Sequence, residues 1–183
     1  MTTRQPPRFY GINTYTDLHG RFRMRYPSTW QYFPVEDNDG IVMDGAMYVP
    51  NPDDKATSLS VWVKDLEHSV VAEDLDDLRQ GVEEGLAQFP ACQVEATADV
   101  VLSNLIKFER EFVYRDGETL RKRKSWMLYV DRWLIVMTYQ GSSVEEYGYW
   151  FAMANYSFAT FYLPEALWFA TDRDLVGYAH PQT

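Results

Sequence analysis

The sequence predicts an α+β fold, an α/β/α sandwich in which a mainly antiparallel sheet is covered by helices on both faces. Three observations lead to it. Apolar and polar residues alternate along much of the chain, which is the period of β-strands. Two segments change to the helical period of 3.6 residues. Between them lies a stretch that is apolar on both sides, and such a stretch of sheet has to be covered on both sides.

The first predicted strand runs from the turn at Gly20 to Pro27. Its apolar residues alternate with three arginines, so one face is buried and the other is wet or paired. Two further strands are predicted over residues 41–49 and 59–64, separated by the turn-forming segment 50–54. A weaker strand pattern covers residues 94–101. The three arginines are Arg21, Arg23 and Arg25.

Two helices are predicted from their apolar stripes. The first covers residues 73–89 and contains Gly81 and Gly85, which lower helix propensity by about 1 kcal/mol each. We therefore expect these glycines to let the helix lie close to the sheet. The second covers residues 143–161, and Ser143 begins it as the cap of a capping box with Glu146.

The clearest hairpin lies around Asp116 and Gly117. An Asp-Gly pair between alternating segments is a strong signal for a two-residue turn, and such a turn fixes the register. The register predicted here places three opposite-charge pairs on one face. They are Glu111 with Lys122, Glu109 with Lys124, and Arg115 with Glu118. On the other face the same register sets Arg110 directly opposite Arg123.

A second tight turn is predicted at Asp131 and Arg132. It sets Trp126 against Met137, Leu128 against Ile135, and Tyr129 against Leu134. Both faces are apolar in this part of the sheet, which is the reason for placing a helical layer above and below it.

Length and composition indicate one domain and exclude several classes of protein. The 183 residues are 46% apolar and 16% aromatic, enough for one substantial core. Because 27 acidic residues outweigh 17 basic ones, the net charge of −10 disfavours nucleic acid and anionic lipid as partners. Cys92 stands alone, so no internal disulfide forms. No apolar run reaches the ~18 residues of a membrane span.

We expect an N-terminal arm over residues 1–14, a single domain over 15–164, and a tail over 165–183 that docks on the domain through Trp168 and Phe169. The first residues form no apolar leader and carry no lipidation cysteine. A cytoplasmic location is expected, or an extracytoplasmic one if a leader has been removed. The oligomeric state is left open.

One segment carries a family resemblance. Asp17, Gly20, Phe22, Tyr26, Pro27 and Trp30 at the front, and Ser157-Phe158 in the final helix, follow the pattern and order of elements of the PsbP family and its bacterial relatives. The resemblance implies an α/β/α sandwich on a mainly antiparallel sheet. It also implies binding rather than catalysis, because the relatives include a photosystem II subunit, a Ran-binding import factor, lipoproteins and secretion adaptors.

No motif for catalysis, metal binding or phosphate binding is found. His19, His68 and His180 lack a neighbouring nucleophile motif. Asp17 and His19 supply two metal ligands without a third. We therefore expect no enzyme, no cofactor and no metal.

The first function hypothesis is a binding or adaptor module that docks a protein partner through an aromatic and arginine-bearing surface. The surface consists of Arg110, Arg121, Arg123 and Phe112, with Arg21, Arg23 and Arg25 as a second basic strip. Arginine is favoured at interfaces for its planar fork of donors. The alternative for these arginines is internal pairing with acids of the helix that contains Asp76 and Asp77, or of a loop, because unpaired buried charge is costly.

The second hypothesis is a carrier for a small apolar ligand. Its cavity is expected between the sheet and the C-terminal helix. The predicted lining residues are Trp126, Tyr129, Trp150 and Phe158.

Overall fold

In a computed structural model that describes residues 4–37, 39–102 and 105–170, seven strands form one antiparallel sheet. The strands in chain order are β1 (Ile12–Thr16), β2 (Arg23–Pro27), β3 (Gln31–Phe33), β4 (Asp44–Val49), β5 (Ser58–Asp65), β6 (Gln93–Leu102), β7 (Leu105–Asp116), β8 (Thr119–Val130) and β9 (Trp133–Gly141). The helices are α1 (Leu75–Ala87), α2 (Val144–Ala159) and α3 (Glu165–Ala170). The sheet order is β3-β4-β5-β9-β8-β7-β6, and β1 pairs with β2 apart from it.

Helices cover both faces of the sheet, as the sequence predicts. On one face α2 and the β1-β2 hairpin enclose the larger core, whose fully buried members include Met24, Val61 and Tyr139. On the other face α1 covers a smaller core around Phe108 and Phe112. Alternate residues of the central strands belong to one core or the other, because successive side chains of a strand point to opposite faces.

Most of the front residues that carry the family resemblance lie in the β1-β2 hairpin. Phe22 and Met24 are buried while Arg23 and Arg25 are exposed, which confirms the predicted alternation. β2 lies against α2, and its Arg23 exchanges two backbone hydrogen bonds with Tyr162, at 3.0 and 2.8 Å. The partner strand β1 was not predicted, and it takes up the last three residues of the segment that the sequence assigns to an arm. The short edge strand β3 was not predicted either.

The remaining strand predictions are confirmed, with one boundary change. β5 and β6 occupy the predicted positions. β4 begins at Asp44 rather than residue 41, and the preceding Val42 makes an isolated bridge with Glu36.

The register of β8 with β9 is the predicted one. Trp126 pairs with Met137, Leu128 with Ile135, and Tyr129 with Leu134. Asp131 adopts a φ of 52° in the turn between them.

The predicted register of β7 with β8 is wrong by two residues. Asp116 itself pairs with Thr119, so the turn is Gly117-Glu118, and Gly117 takes a φ of 60° at its first position. A shift of two keeps every side chain on its predicted face but changes its partner. Arg110 therefore faces Ser125 and Arg123 faces Phe112.

Two of the three predicted charge pairs survive as contacts between neighbours on that face. Lys122 Nζ lies 2.6 Å from Glu111 Oε1, and Lys124 Nζ lies 3.1 Å from Glu109 Oε1. Arg115 instead donates to the backbone carbonyl of Glu118, at 3.5 Å.

The start of α2 follows the predicted cap in part. The Ser143 hydroxyl accepts a hydrogen bond from the Glu146 amide at 3.1 Å. The Glu146 carboxylate, however, accepts from the Trp150 indole at 3.2 Å and pairs with Arg4. The arm is thereby held against α2.

The predicted docking of the tail lies largely outside the described residues. The backbone of α3 is described, and Leu167 packs partly against the larger core. The side chains of Trp168 and Phe169, and all of residues 171–183, lie outside the described part. Over the described residues, none of the helices combines the length and apolar character needed to span a membrane.

Candidate functional site

A cavity of about 330 Å³ lies between α1 and the sheet. Its walls are mainly aromatic and aliphatic, and its volume is at the small end of the ~300–1,000 Å³ typical of ligand pockets. The lining side chains of the sheet are Trp62, Arg110, Phe112, Arg123, Ser125, Met127, Tyr129, Leu134, Val136 and Thr138. Those of the helical side are Val82, Leu86 and Phe89, together with Gly81 and Gly85.

The floor of the cavity changes from charged to apolar along the paired strands β8 and β9. Four successive cross-strand pairs lie on this face. They are Arg123 with Gln140, Ser125 with Thr138, Met127 with Val136, and Tyr129 with Leu134. At ~3.4 Å per residue, the distance along β8 from Arg123 to Met127 is roughly 14 Å. The cavity therefore has a polar end and an apolar end.

Arg123 forms the polar end. Its Nη2 donates to Gln140 Oε1 at 2.5 Å and to the Tyr114 hydroxyl at 3.5 Å, and the guanidinium carbon lies 4.8 Å from the centre of the Phe89 ring. Its Nε is buried without a hydrogen-bond partner. Burial lowers the pKa of Arg123, which Tyr114 partly opposes, and the like charge of Arg121 lowers it further. Over the described residues, no carboxylate forms an ion pair with Arg123.

The helix glycines border the cavity. The expectation that Gly81 and Gly85 let the helix lie close to the sheet is wrong, because a Cβ atom at either position meets nothing within 4 Å. Both glycines are exposed on α1, and the absence of their side chains leaves open space beside the cavity.

Arg110 is paired internally, as the alternative reading of the sequence holds. Its Nη1 lies 2.5 Å from Asp99 Oδ1 on β6, and its Nη2 lies 3.2 Å from Glu83 Oε1 on α1. The hydrogen bond from Arg110 holds the pKa of Asp99 below its ordinary value. The helix does supply an acid, although it is Glu83 rather than the expected Asp76 or Asp77.

The predicted opposition of Arg110 and Arg123 is thus wrong, for the reason of register given above. Arg121 is paired too, with its Nη2 2.8 Å from Asp116 Oδ2. Phe112 is 2% exposed and belongs to the smaller core and the cavity wall rather than to an outer surface.

The second basic strip is divided by the structure. Arg21 is buried and pairs with Asp17 and Asp44, so it is part of the core of the hairpin. Arg23 and Arg25 are exposed. The Arg23 guanidinium lies 4.3 Å from the centre of the Tyr162 ring, and Arg25 contacts the Tyr156 hydroxyl at 3.5 Å.

The four residues predicted to line a carrier cavity are not brought together. Trp126 and Phe158 pack against each other in the larger core, with ring centres 4.9 Å apart, and Trp150 packs edge-on against Trp30. Tyr129 points to the other face and lines the α1 cavity. The cavity beneath α1 is therefore on the opposite side of the sheet from the predicted one.

Sequence reasoning missed most of the true lining, including Trp62, Leu134 and Val136. The signal was present in the β8-β9 register, which was predicted correctly. Reading alternate residues along that register gives the graded floor from Arg123 to Tyr129.

Three solved structures resemble this one over most of the chain. The cyanobacterial PsbP (CyanoP) of Synechocystis sp. PCC 6803 has 11% identity and a TM-score of 0.58, covering 90% of this chain and 99% of that one. LpqN of Mycobacterium tuberculosis, described as involved in cell envelope biogenesis, has 14% identity and a TM-score of 0.54, covering 84% and 92%. The Ran-binding protein MOG1P of Saccharomyces cerevisiae has 10% identity and a TM-score of 0.52, covering 84% and 95%.

No protein-family model and no curated protein matches the chain. At such low identities the structural likeness concerns the fold alone. It agrees with the architecture described above and with the resemblance carried by the front motif. The chain has the PsbP-like fold.

Proposed function

We propose that the chain is a non-catalytic binding module that holds a small apolar ligand in the cavity beneath α1. The observation that carries the proposal is the cavity itself, an apolar space of about 330 Å³ bordered by two glycines. A concave space with mainly apolar walls and a few polar groups at one end is typical of small-molecule sites.

The chemistry of the lining supports binding rather than catalysis. Among the described residues, those that line the cavity include no carboxylate, histidine or cysteine. The aliphatic hydroxyls of the lining, on Ser125 and Thr138, lie 3.2 Å apart and hydrogen-bond to each other. A nucleophile needs a base within reach, and this lining supplies none.

The proposal is tested by filling the cavity from the helical side. We expect wild-type protein to bind 1-decanol, a neutral apolar probe, saturably at one site in a calorimetric titration. The double variant Gly81→Leu/Gly85→Leu is expected to lose this binding, because both leucines enter space next to the cavity. Its helix should not weaken, since leucine has a higher helix propensity than glycine.

Gly148→Leu is the matched control, because Gly148 lies on α2 and a Cβ there also meets nothing within 4 Å. This variant is expected to bind 1-decanol as the wild type does. Absence of saturable binding to the wild type, or equal binding to the filled variant, contradicts the proposal.

A second candidate function is protein docking, which the exposed part of the arginine strip favours. Arg23 and Arg25 project from β2 beside Tyr162, which is 46% exposed, and arginine beside exposed aromatic rings is typical of interface centres. A structure of the same fold is described as a Ran-binding protein, which supports a docking role as a candidate. Of the arginines predicted to form the docking surface, this second candidate function uses only Arg23 and Arg25.

Charge reversal separates docking from stability. The double variant Arg23→Glu/Arg25→Glu is expected to keep its melting temperature, because both side chains are exposed and neither forms an ion pair with any residue that the structure describes. In pull-downs from the native host, a protein recovered by the wild type and by an Arg115→Glu control should be lost with the double variant. Equal recovery by all three contradicts docking at this surface.

A further inference from the structure

We infer that the cavity beneath α1 selects an apolar monocarboxylate, whose carboxylate pairs with Arg123 and whose chain lies over Met127 and Val136. The inference rests on the proposed function, because it specifies which ligand the same cavity takes. It starts from the contrast between Arg123 and the other arginines of the predicted surface.

The other three arginines of that surface that are buried or partly buried already have their counter-charge, whereas Arg23 and Arg25 are exposed to solvent. Arg21, Arg110 and Arg121 are each within 3.2 Å of at least one carboxylate oxygen. Arg123 has instead the neutral oxygens of Gln140 and Tyr114, and the rings of Phe89 and Tyr114 beside its guanidinium. A partly buried cation without an anion is unfavourable, and a ligand carboxylate would correct it.

The position of Arg123 gives the ligand its polarity and direction. Arg123 lies at one end of the graded floor, next to the hydroxyls of Ser125 and Thr138. Beyond them Met127, Val136 and Leu134 offer apolar surface, and Leu86 lies on the helical side. A ligand with one anionic end and an apolar body matches this order, whereas a dianion or a sugar would leave polar groups on apolar walls.

Arginine also suits the proposed head group. Its planar fork matches the two oxygens of a carboxylate, and hydrogen bonds between charged groups are about twice as strong as neutral ones. The net charge of −10 does not forbid an anionic ligand, since exposed charges more than ~8–10 Å away are largely screened at physiological salt.

The test compares decanoate with 1-decanol by titration calorimetry at neutral pH. The wild type is expected to bind decanoate roughly ten- to a hundredfold more tightly, the factor that a charge-assisted hydrogen bond supplies. In Arg123→Met, which keeps an unbranched side chain, this preference should vanish because decanoate binding falls while decanol binding is retained. Arg115→Met, an exposed arginine outside the cavity, should behave as the wild type.

Arg123→Lys keeps the charge without the fork and is expected to retain part of the preference for decanoate. Decanol binding and thermal unfolding are measured for every variant, and they distinguish a folding defect from the loss of the carboxylate's partner. Equal affinity of the wild type for decanoate and decanol overturns the inference while the proposed function stands. Binding of neither probe overturns both.

Discussion

Asp17→Ala is expected to lower the free energy of unfolding by about 3 kcal/mol, the cost of removing one partner from a buried ion pair. Asp17 is 2% exposed and its carboxylate accepts from Arg21 Nε and Nη2, both at 2.8 Å, and from the Arg21 amide at 3.0 Å. The substitution leaves Arg21 buried with Asp44 as its remaining acid. Urea unfolding at pH 7 measures the loss.

The control for Asp17 is Asp65→Ala, which removes the acid from an exposed pair of similar geometry. Arg132 donates to both Asp65 oxygens at 2.8 Å, but both side chains are well exposed, and such pairs contribute little. A much smaller loss is therefore expected. Equal losses in the two variants would show that burial of the Asp17 pair does not matter.

Acid provides a second readout for Asp17. Burial alone would raise its pKa, but the hydrogen bonds from Arg21 outweigh burial and hold the pKa below its ordinary value. Such a carboxyl stabilises the fold above its unfolded pKa of about 3.9, and this contribution is lost as the pH falls through the folded pKa. The gap between wild type and Asp17→Ala should therefore narrow in that acid range. A gap that widens with falling pH contradicts the pairing.

Gly141→Ala is expected to destabilise the fold by about 2 kcal/mol or more, because the site has no space for a methyl group. Gly141 ends β9 just before α2. A Cβ there would lie 2.4 Å from the Tyr147 amide nitrogen and 2.5 Å from the Ser143 carbonyl oxygen. Both are backbone atoms of the first turn of α2, so relief requires moving the helix. Thermal or urea unfolding measures the effect.

Gly148→Ala is the matched control within α2. A Cβ at Gly148 meets nothing within 4 Å, and alanine raises helix propensity by up to about 1 kcal/mol. The two substitutions should therefore change stability in opposite directions. A neutral Gly141→Ala would mean that the junction of β9 and α2 is looser than the structure shows.

The layered fold could be predicted because its signals are local and periodic. Alternation identified β2, and the tight turn at Asp131 fixed the register of β8 with β9. The β7-β8 register failed because the Asp-Gly signal does not tell which two residues occupy the turn, and here Gly117 comes first. The three-residue strand β3 is too short to show a period.

The site was harder to predict, because its defining feature is empty space. A glycine in a helix has two opposite uses, close contact with a neighbour or room for a ligand, and sequence spacing does not distinguish them. A Cβ at Gly81 or Gly85 meets nothing within 4 Å and both glycines line the cavity, which matches the second use. The pairing of Arg110 with Asp99 and Glu83 was equally hidden, since it joins residues of three separate elements. Once these ion pairs are known, Arg123 differs from Arg110 in having no carboxylate partner among the described residues.

The most direct test of the cavity is amide chemical-shift mapping by NMR with decanoate added to the full chain. We expect the largest shifts at Gly81 and Gly85 on α1 and at residues 123–129 of β8, with Gly148 on the opposite face unchanged. Shifts centred on α2 and the β1-β2 hairpin, or no saturable shifts at all, would contradict a ligand site beneath α1.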